Sequence, residues 1–239
     1  MLKQEDYKQH ISEKFNVELE EIKNHLLEMG AKVEQQLTSA IEALVKRDTG
    51  EAEAIVSRDH EVNQMEMKID DECATILARR QPAASDLRLV VTVIKVNTDV
   101  ERIGDEAAKI ARQAIRLAEE NLSPTNYVEI RHIGAHVASM LRKALDAFAR
   151  LDLDLAVEVV REDSNVDKEY GSAMRSLVTF MMEDPRDIGP ILNEMWALRS
   201  LERIGDHASN IAEHVVYLVR GLDVRHQSLE DFIDQVRNQ

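Results

Sequence analysis

The stretch ERIGDEAAKIA at residues 101–111 returns as ERIGDHASNIA at residues 202–212, and this repeat decides the fold. Eight of the eleven positions are identical, at a separation of 101 residues. A second match supports the repeat, because AIEALVKRD at residues 40–48 resembles ALDAFARLD at residues 144–152. Internal repetition of this kind indicates a duplicated structural unit. The 239-residue chain is therefore predicted to consist of two equivalent halves.

Each half is predicted to contain three long helices. Glycine and proline number only 8 and 4, and aromatic residues make up 4% of the chain. A sheet needs frequent turns and favours aromatic residues, whereas long helices with short connections are typical of antiparallel bundles. Helical periodicity and capping signals predict six long antiparallel helices near residues 10–47, 51–80, 84–120, 125–150, 153–181 and 187–220.

The predicted fold class is all-α, with two tandem three-helix bundles related by an approximate internal twofold repeat. We expect the first bundle to span residues 1–121, and the second to span residues 122–239 with a short tail helix near 229–236. Asp48 followed by Glu51 predicts a capping box at the start of the second helix, and Asp152 predicts a cap for the fifth. Pro82 separates the second helix from the third.

A row of polar side chains is expected along the third helix, away from its apolar seam. Glu101 and Asp105 are four residues apart and share one face, and Asn97 lies one turn earlier. The sixth helix repeats the pair as Glu202 and Asp206. Carboxylate oxygens are the ligands that hard divalent cations prefer, so these rows are candidate metal sites. A solvated acidic face is the alternative for any single pair, but the identical word ERIGD in both halves favours a site.

The second and fifth helices carry matching polar residues. They are spaced four apart at equivalent positions of the repeat: Asp59 and Asn63, Asp163 and Asp167. Asp59 and Asp105 each lie 23 residues from Pro82, so the rows on the second and third helices are at similar heights. Spacing alone leaves open whether they face each other. Gly104 and Gly205 each cost a helix about 1 kcal/mol relative to alanine, which predicts a close helix approach or a bulky ligand there.

Composition limits the classes of partner. The net charge of −15 repels phosphate backbones, so nucleic-acid binding is disfavoured. The single Cys73 cannot form an internal disulfide, which fits a reducing compartment. No secretory signal begins the sequence, and no apolar run approaches the ~20 residues of a membrane helix. We therefore expect a cytoplasmic protein.

Other candidate residues are weaker. Glu129, His132 and His136 have the helical spacing of metal ligands, although a polar surface is the more ordinary interpretation. Cys73 lies on an apolar face and is expected in the core. A ferritin-like di-iron site needs two Glu-x-x-His words, and the sequence has only one.

Three arginines flank the predicted turn at Pro82. Arg79, Arg80 and Arg88 could bind an anion or the acidic patch of a partner. Ordinary helix-end cations are an equally good interpretation, because positive charge stabilises a helix C-terminus.

The sequence resembles the PhoU family. The resemblance rests on ARRQPAASDLR (78–88), VNTDVERIGDEAAKIAR (96–112) and LRSLERIGDHASNIAEHVVYLVRG (198–221), together with the six-helix, two-repeat layout. It implies a cytoplasmic negative regulator of phosphate uptake and of the phosphate-starvation response. The implied partners are the phosphate-specific ABC transporter, through its ATPase subunit, and the PhoR histidine kinase. A peripheral association with this membrane complex and a homodimer are expected.

The resemblance also implies metal binding. Some family members hold metal clusters through Glu/Asp-x-x-x-Asp motifs, which correspond here to Glu101 with Asp105 and Glu202 with Asp206. The expected ions are Mg²⁺, Mn²⁺, Fe or Zn²⁺. Leu198 stands where the first half has Asn97, so the second row is expected to be poorer. The alternatives to a regulatory adaptor are a metal-dependent phosphohydrolase and a metal-binding scaffold bundle.

Overall fold

Long helices account for nearly all of the structure, a computed structural model that describes residues 4–82, 84–119, 127–225, 227 and 229–237. These residues form seven α-helices and one 3-10 helix, Pro185–Asp187. The α-helices are α1 (Gln4–Lys46), α2 (Thr49–Arg80), α3 (Ala84–Glu119), α4 (Val128–Arg150), α5 (Leu153–Glu183), α6 (Ile188–Arg220) and α7 (Leu229–Arg237). The all-α class and the six long helices are confirmed.

Capping residues begin and end these helices where the sequence predicts. The Asp48 side chain accepts a hydrogen bond from the Glu51 backbone N–H at 3.0 Å, and Asp152 accepts one from Leu155 at 3.0 Å. The left-handed backbone of Gln81 ends α2 immediately before Pro82. Each Asp satisfies a backbone donor that a helix start leaves without a partner, which stabilises the fold by about 1 kcal/mol.

The core follows the predicted apolar seams. The α3 seam is fully buried at Val93, Val96, Val100, Ile103, Ala107 and Ile110. The α6 seam is fully buried at Ala197, Leu201, Ile204, Ala208 and Ile211. Helices α1, α2 and α3 pack against one another, as do α4, α5 and α6, which gives two three-helix bundles in tandem. The predicted boundary at residues 121 and 122 lies outside the described residues and stays a prediction.

The two bundles pack against each other along α3 and α6, and this interface contains buried charged side chains. Asp99 of α3 lies 2.9 Å from Nδ1 of His207 on α6 and accepts a hydrogen bond from Asn210. Glu106, which occupies the repeat position equivalent to His207, is paired with Arg203 at 2.6 Å. Burial alone would raise the pKa of Asp99, but hydrogen bonds from the two neighbouring histidines, His207 and His214, bring it below its usual range.

The second contact between the bundles is the crossing of α1 and α4. A Cβ added at Gly30 would lie 2.8 Å from Leu145, and one at Gly134 would lie 2.9 Å from Ile41. Each residue of the first pair is equivalent to one of the second at a separation of 104, so the crossing obeys the internal repeat. A methyl group at either glycine would therefore force the facing Leu145 or Ile41 side chain to move.

The glycines of the ERIGD word do not mark the predicted close helix approach, while the alternative, a bulky ligand, stays a prediction. A Cβ at Gly104 would lie 3.4 Å from Val62, and one at Gly205 would lie 3.5 Å from Asp163 and Val166. These are ordinary van der Waals distances, so helix packing does not require glycine at either position.

None of the described helices combines the length and apolar character needed to cross a bilayer.

Candidate metal centres

Three carboxylates converge in the second half of the chain. One oxygen from each of Asp167, Glu202 and Asp206 can be chosen so that all three lie within 4.8 Å of one another. Asp167 comes from α5, whereas Glu202 and Asp206 lie one turn apart on α6. The predicted row on α6 therefore faces the predicted pair on α5. The second half was expected to be the poorer site, yet within the described residues it alone brings three such groups so close.

Asp163 completes this cluster from a less accessible position. It is half-buried one turn before Asp167, and Ser209 of α6 donates a hydrogen bond to it. Burial, together with the charges of Asp206, Asp167 and Glu202, raises the pKa of Asp163 to about 7. A carboxylate held near other carboxylates is costly to ionise, and a bound cation removes that cost.

A cation from the protein already touches this cluster. Arg199 lies 2.5 Å from Glu202, three residues further along α6. Burial and the charge of Asp206 nevertheless raise the pKa of Glu202, while Arg199 opposes the shift. Burial and Asp167 likewise raise the pKa of Asp206. The cluster therefore keeps an excess of negative charge even with its arginine.

The first half has a corresponding but less convergent group of carboxylates between α2 and α3. Burial raises the pKa of Glu101, and the charges of Asp105, Glu66 and Asp59 add to the shift. Glu66 on α2 in turn has a raised pKa from burial and from the charges of Asp70 and Asp105. Asn97 of the α3 row donates a hydrogen bond to Asp70 of α2 at 3.0 Å, so the two rows lie on facing sides of these helices as well.

Glu66 and Asp70 were missed by the sequence analysis. They continue the α2 row at the spacing 59, 63, 66, 70, which is a helical stripe. Asn97 of α3 is buried and donates hydrogen bonds to the Glu66 backbone carbonyl and to the Asp70 carboxylate, each at 3.0 Å. Asn97 is therefore a positioning residue for the α2 row. The repeat concealed this stripe, because the equivalent positions in the second half hold Tyr170 and Met174.

The remaining predicted residues of the first site have distinct surroundings. Asp59 is buried and accepts a hydrogen bond at 3.0 Å from Gln36 of α1. The same Gln36 nitrogen donates a hydrogen bond to the Gly104 carbonyl at 3.4 Å. Helix α1 therefore contacts both helices that form the first site. Asn63 is half-buried one turn along α2 from Asp59. One further acid was missed in the second half, since burial raises the pKa of Glu213, near Asp163, to about 7.

These donor sets fit divalent cations. Both sites offer carboxylate oxygens from two facing helices, the arrangement that hard ions such as Mg²⁺ and Mn²⁺ accept with water completing the shell. Burial and the neighbouring carboxylates raise the pKa values of Glu101 and Asp163, and both effects disfavour an ionised group that has no cation beside it. A bound ion would supply that charge and pin α2 to α3, or α5 to α6.

The weaker candidates have ordinary partners. His132 and His136 both pair with Glu169 of α5, at 3.4 and 3.2 Å, away from the carboxylate rows. Cys73 is buried in the core, and burial raises the pKa of its thiol to about 12. Arg80 holds Glu18 of α1 through two hydrogen bonds at 2.8 and 2.6 Å.

Comparison with known families gives a match over most of the chain. The model described as "PhoU domain" matches residues 26–114 and 130–215, once in each half. The phosphate-specific transport system accessory protein PhoU homolog of Pseudomonas aeruginosa is 57% identical over 238 residues, covering 100% of this chain and 98% of that protein. The phosphate-specific transport system accessory protein PhoU of Escherichia coli K12 is 46% identical over 217 residues, covering 91% and 90%.

Solved structures give the same result. The crystal structure of PhoU from Pseudomonas aeruginosa superposes with a TM-score of 0.85 and 60% identity, covering 87% of this chain and 100% of that chain. The phosphate transport system regulatory protein PhoU from Streptococcus pneumoniae superposes with a TM-score of 0.80 and 31% identity, covering 87% and 98%. The two tandem bundles described above are the fold of these proteins.

Proposed function

This chain belongs to the PhoU family, and from that premise we propose that it represses phosphate uptake and the phosphate-starvation response. It is an accessory protein of the phosphate-specific transport system, as its relatives are named. Those names describe accessory proteins rather than enzymes, which gives no support to the phosphohydrolase alternative. The observation that carries the proposal is the 57% identity to such a protein over the full chain.

The proposed mechanism is that of an adaptor on the cytoplasmic side of the membrane. The protein would bind the ATPase subunit of the phosphate transporter and the PhoR histidine kinase when phosphate is plentiful. A binding protein shifts a partner between two states only as far as its affinity for the two states differs. Two rigid bundles, locked together along α3–α6 and α1–α4, suit this task because they present fixed surfaces.

We also propose that divalent cations occupy both carboxylate sites. The supporting observations are the converging oxygens of Asp167, Glu202 and Asp206 and the raised pKa values of Glu66 and Glu101. The ion would supply positive charge that the protein itself lacks, given its net charge of −15. Mg²⁺ and Mn²⁺ fit an all-oxygen set best, and Fe or Zn²⁺ are the other candidates. The homodimer stays a prediction.

The regulatory proposal is tested by deletion and complementation. A strain without this chain should express a phosphate-starvation reporter in phosphate-rich medium, and the parent chain should restore repression. Co-purification of the tagged chain with transporter and kinase, at high and at low phosphate, tests the adaptor mechanism. Reporter expression that stays repressed in the deletion strain would overturn the proposal.

The metal proposal has a separate test. The fourfold variant Glu101→Ala, Asp105→Ala, Glu202→Ala and Asp206→Ala should lose bound Mn²⁺ in equilibrium dialysis. Repression by this variant then shows whether regulation needs the metal. Unchanged metal content would disprove the sites without touching the regulatory proposal.

A further inference from the structure

A groove opens at one end of the second bundle, where α4 begins, α5 ends and α6 begins. Its volume is about 550 Å³, within the range of well-formed binding pockets. It is lined by Tyr127, Val128, Glu129, Leu177, Phe180, Glu183, Asp184, Asp187, Ile191 and Glu194. The lining therefore combines an apolar floor with acidic groups.

In the first bundle a helix fills the equivalent place. At the repeat separation of 104 residues, Val128 at the start of α4 corresponds to residue 24 of α1. Helix α1 begins at Gln4, so its residues 4–23 have no counterpart in α4. This extension buries Leu19 and Ile22 in the core, and its Glu18 holds Arg80 at the end of α2.

The residues beneath the extension are the counterparts of the groove floor. Phe180 corresponds to Ile76 and Ile191 to Val90, while Leu177 corresponds to Cys73. Ile76 is 3% exposed under α1, whereas Phe180 is 50% exposed. Phe180 shares the groove with the exposed Val128 and with Leu177 and Ile191, and a contiguous apolar patch rimmed by polar groups marks an interaction site. The groove is the slot that α1 fills in the other half.

The charge at the slot is reversed between the two halves. Arg79 and Arg80 at the end of α2 correspond to Glu183 and Asp184 at the end of α5. The first slot accepts a helix with an acidic residue, Glu18, at this place. Asp184 is paired with the exposed Arg186, and Glu129, Glu183 and Asp187 add further negative charge to the rim.

We propose that this groove binds a basic amphipathic helix of a partner protein, in the position that residues 4–23 occupy in the first half. The apolar face of the helix would cover the exposed side chains of Phe180 and Val128 above the buried Leu177 and Ile191, and its lysines or arginines would pair with the acidic rim. Helix-in-groove docking of this kind uses anchors three and four residues apart, the spacing of Phe15, Leu19 and Ile22 in α1.

A second copy of α1 is a poorer occupant. Residues 4–23 carry six acidic and three basic side chains, so they would meet the acidic rim with like charge. Anionic membrane surfaces are disfavoured for the same reason. The proposal stands on the groove and does not depend on the regulatory role.

Two peptides test the charge preference with the full chain. The first is residues 8–27 of this protein, fluorescently labelled. The second is the same peptide with Glu13→Lys, Glu18→Lys, Glu20→Lys and Glu21→Lys. We expect the lysine peptide to bind at least about tenfold more tightly in fluorescence anisotropy, with an affinity that falls as salt rises.

Matched variants locate the binding. Phe180→Ser should weaken binding of the lysine peptide about tenfold or more, as expected for a central aromatic anchor. Met67→Ser is the control, because Met67 is 61% exposed on α2 and lies outside the groove. Glu183→Lys should reduce the preference for the lysine peptide. Phe180 and Glu183 are both exposed, so their variants should keep the helix content of the parent in circular dichroism.

Four results would overturn the proposal. Equal binding by the Phe180→Ser variant would place the peptide elsewhere. Tighter binding of the unchanged peptide, or a dimer that Phe180→Ser dissociates in light scattering, would assign the groove to a second copy. Tight binding of the parent to anionic phospholipid vesicles, lost in Phe180→Ser, would assign it to a membrane. None of these results bears on repression, so the proposed function is tested separately.

Discussion

The two carboxylate sites descend from the same repeat but satisfy different conditions for binding a cation. The first half gathers more charge, since Glu66 and Asp70 extend the α2 row beyond Asp59. The second half has fewer acids on α5, yet its oxygens converge within 4.8 Å, and Arg199 lies against Glu202. Both halves contain the sequence ERIGD, so the rows on α3 and α6 are alike, whereas the facing rows on α2 and α5 differ.

Charge and geometry are therefore separate requirements for binding a cation. Excess negative charge raises affinity for any cation, whereas convergence of oxygens selects ions of a given size. We expect ions in the first half to keep more of their water and to have a less ordered coordination shell. The second half should bind one ion in a defined coordination shell. Four experiments test these expectations, in order of decreasing effect.

Removal of ligands should abolish one site at a time. The pair Glu202→Ala and Asp206→Ala should lower Mn²⁺ affinity of the second half by about a hundredfold or more, because even indirect partners of a metal contribute 10–100-fold. Isothermal titration should then show one class of sites fewer than the parent.

The matched control is the pair Glu230→Ala and Asp234→Ala, two exposed carboxylates of the same spacing on α7. It should leave the titration unchanged. A parent-like curve for the Glu202 and Asp206 pair would mean that this converging cluster binds no ion.

Exchange of one cation should invert the electrostatic difference. Thr98 is the repeat equivalent of Arg199. Thr98→Arg should lower the metal affinity of the first half about tenfold, and Arg199→Thr should raise that of the second half by a similar factor, ~1.4 kcal/mol each. Mn²⁺ titrations of the two variants measure both changes. If both variants moved affinity in the same direction, the arginine would not be the cause of the difference.

Acid should stabilise the metal-free protein. The folded state raises the pKa of Asp163 to about 7 and also raises those of Glu66 and Glu101, so it binds more protons than the unfolded chain between about pH 8 and pH 5. Stability therefore increases as pH falls through this window. Thermal unfolding in a chelator should show a higher Tm at pH 5.5 than at pH 8.

Two comparisons locate this pH effect. Asp163→Asn should flatten the profile more than Asp59→Asn, because Asp163 stands among the charges of Asp206, Asp167 and Glu202. Mg²⁺ should raise Tm more at pH 8 than at pH 5.5, since it replaces the missing protons. A Tm that rises with pH in the chelator would contradict the sign.

The repeat glycines should contribute least. Gly104→Ala and Gly205→Ala place a methyl group at ordinary contact distance, so each should stabilise the fold by about 0.5–1 kcal/mol through helix propensity. Gly134→Ala should instead destabilise it, because the new Cβ would lie 2.9, 3.1 and 3.2 Å from three carbons of the β-branched Ile41 side chain. Urea unfolding measures all three, and a destabilised Gly205→Ala variant would restore the prediction of a packing role.

Local patterns carried most of the fold. The seam of α3 repeats at three and four residues, and the caps at Asp48 and Asp152 depend only on their neighbours in sequence. The carboxylate row on α3 was equally predictable, because residues four apart must share a helical face. Glu66 and Asp70 obey the same rule, but their repeat equivalents are Tyr170 and Met174, so the likeness of the two halves gives them no support.

The duplication, the long helices and the carboxylate rows can be predicted from the sequence alone, because each depends on residue spacing along the chain. The rows on α2 and α3, and those on α5 and α6, face each other as a result of tertiary packing, which spacing does not predict. The rotation of one helix against the next depends on how whole seams pack. The groove beside Phe180 also appears only in the tertiary structure, at the place where α4 has no counterpart to the first twenty residues of α1.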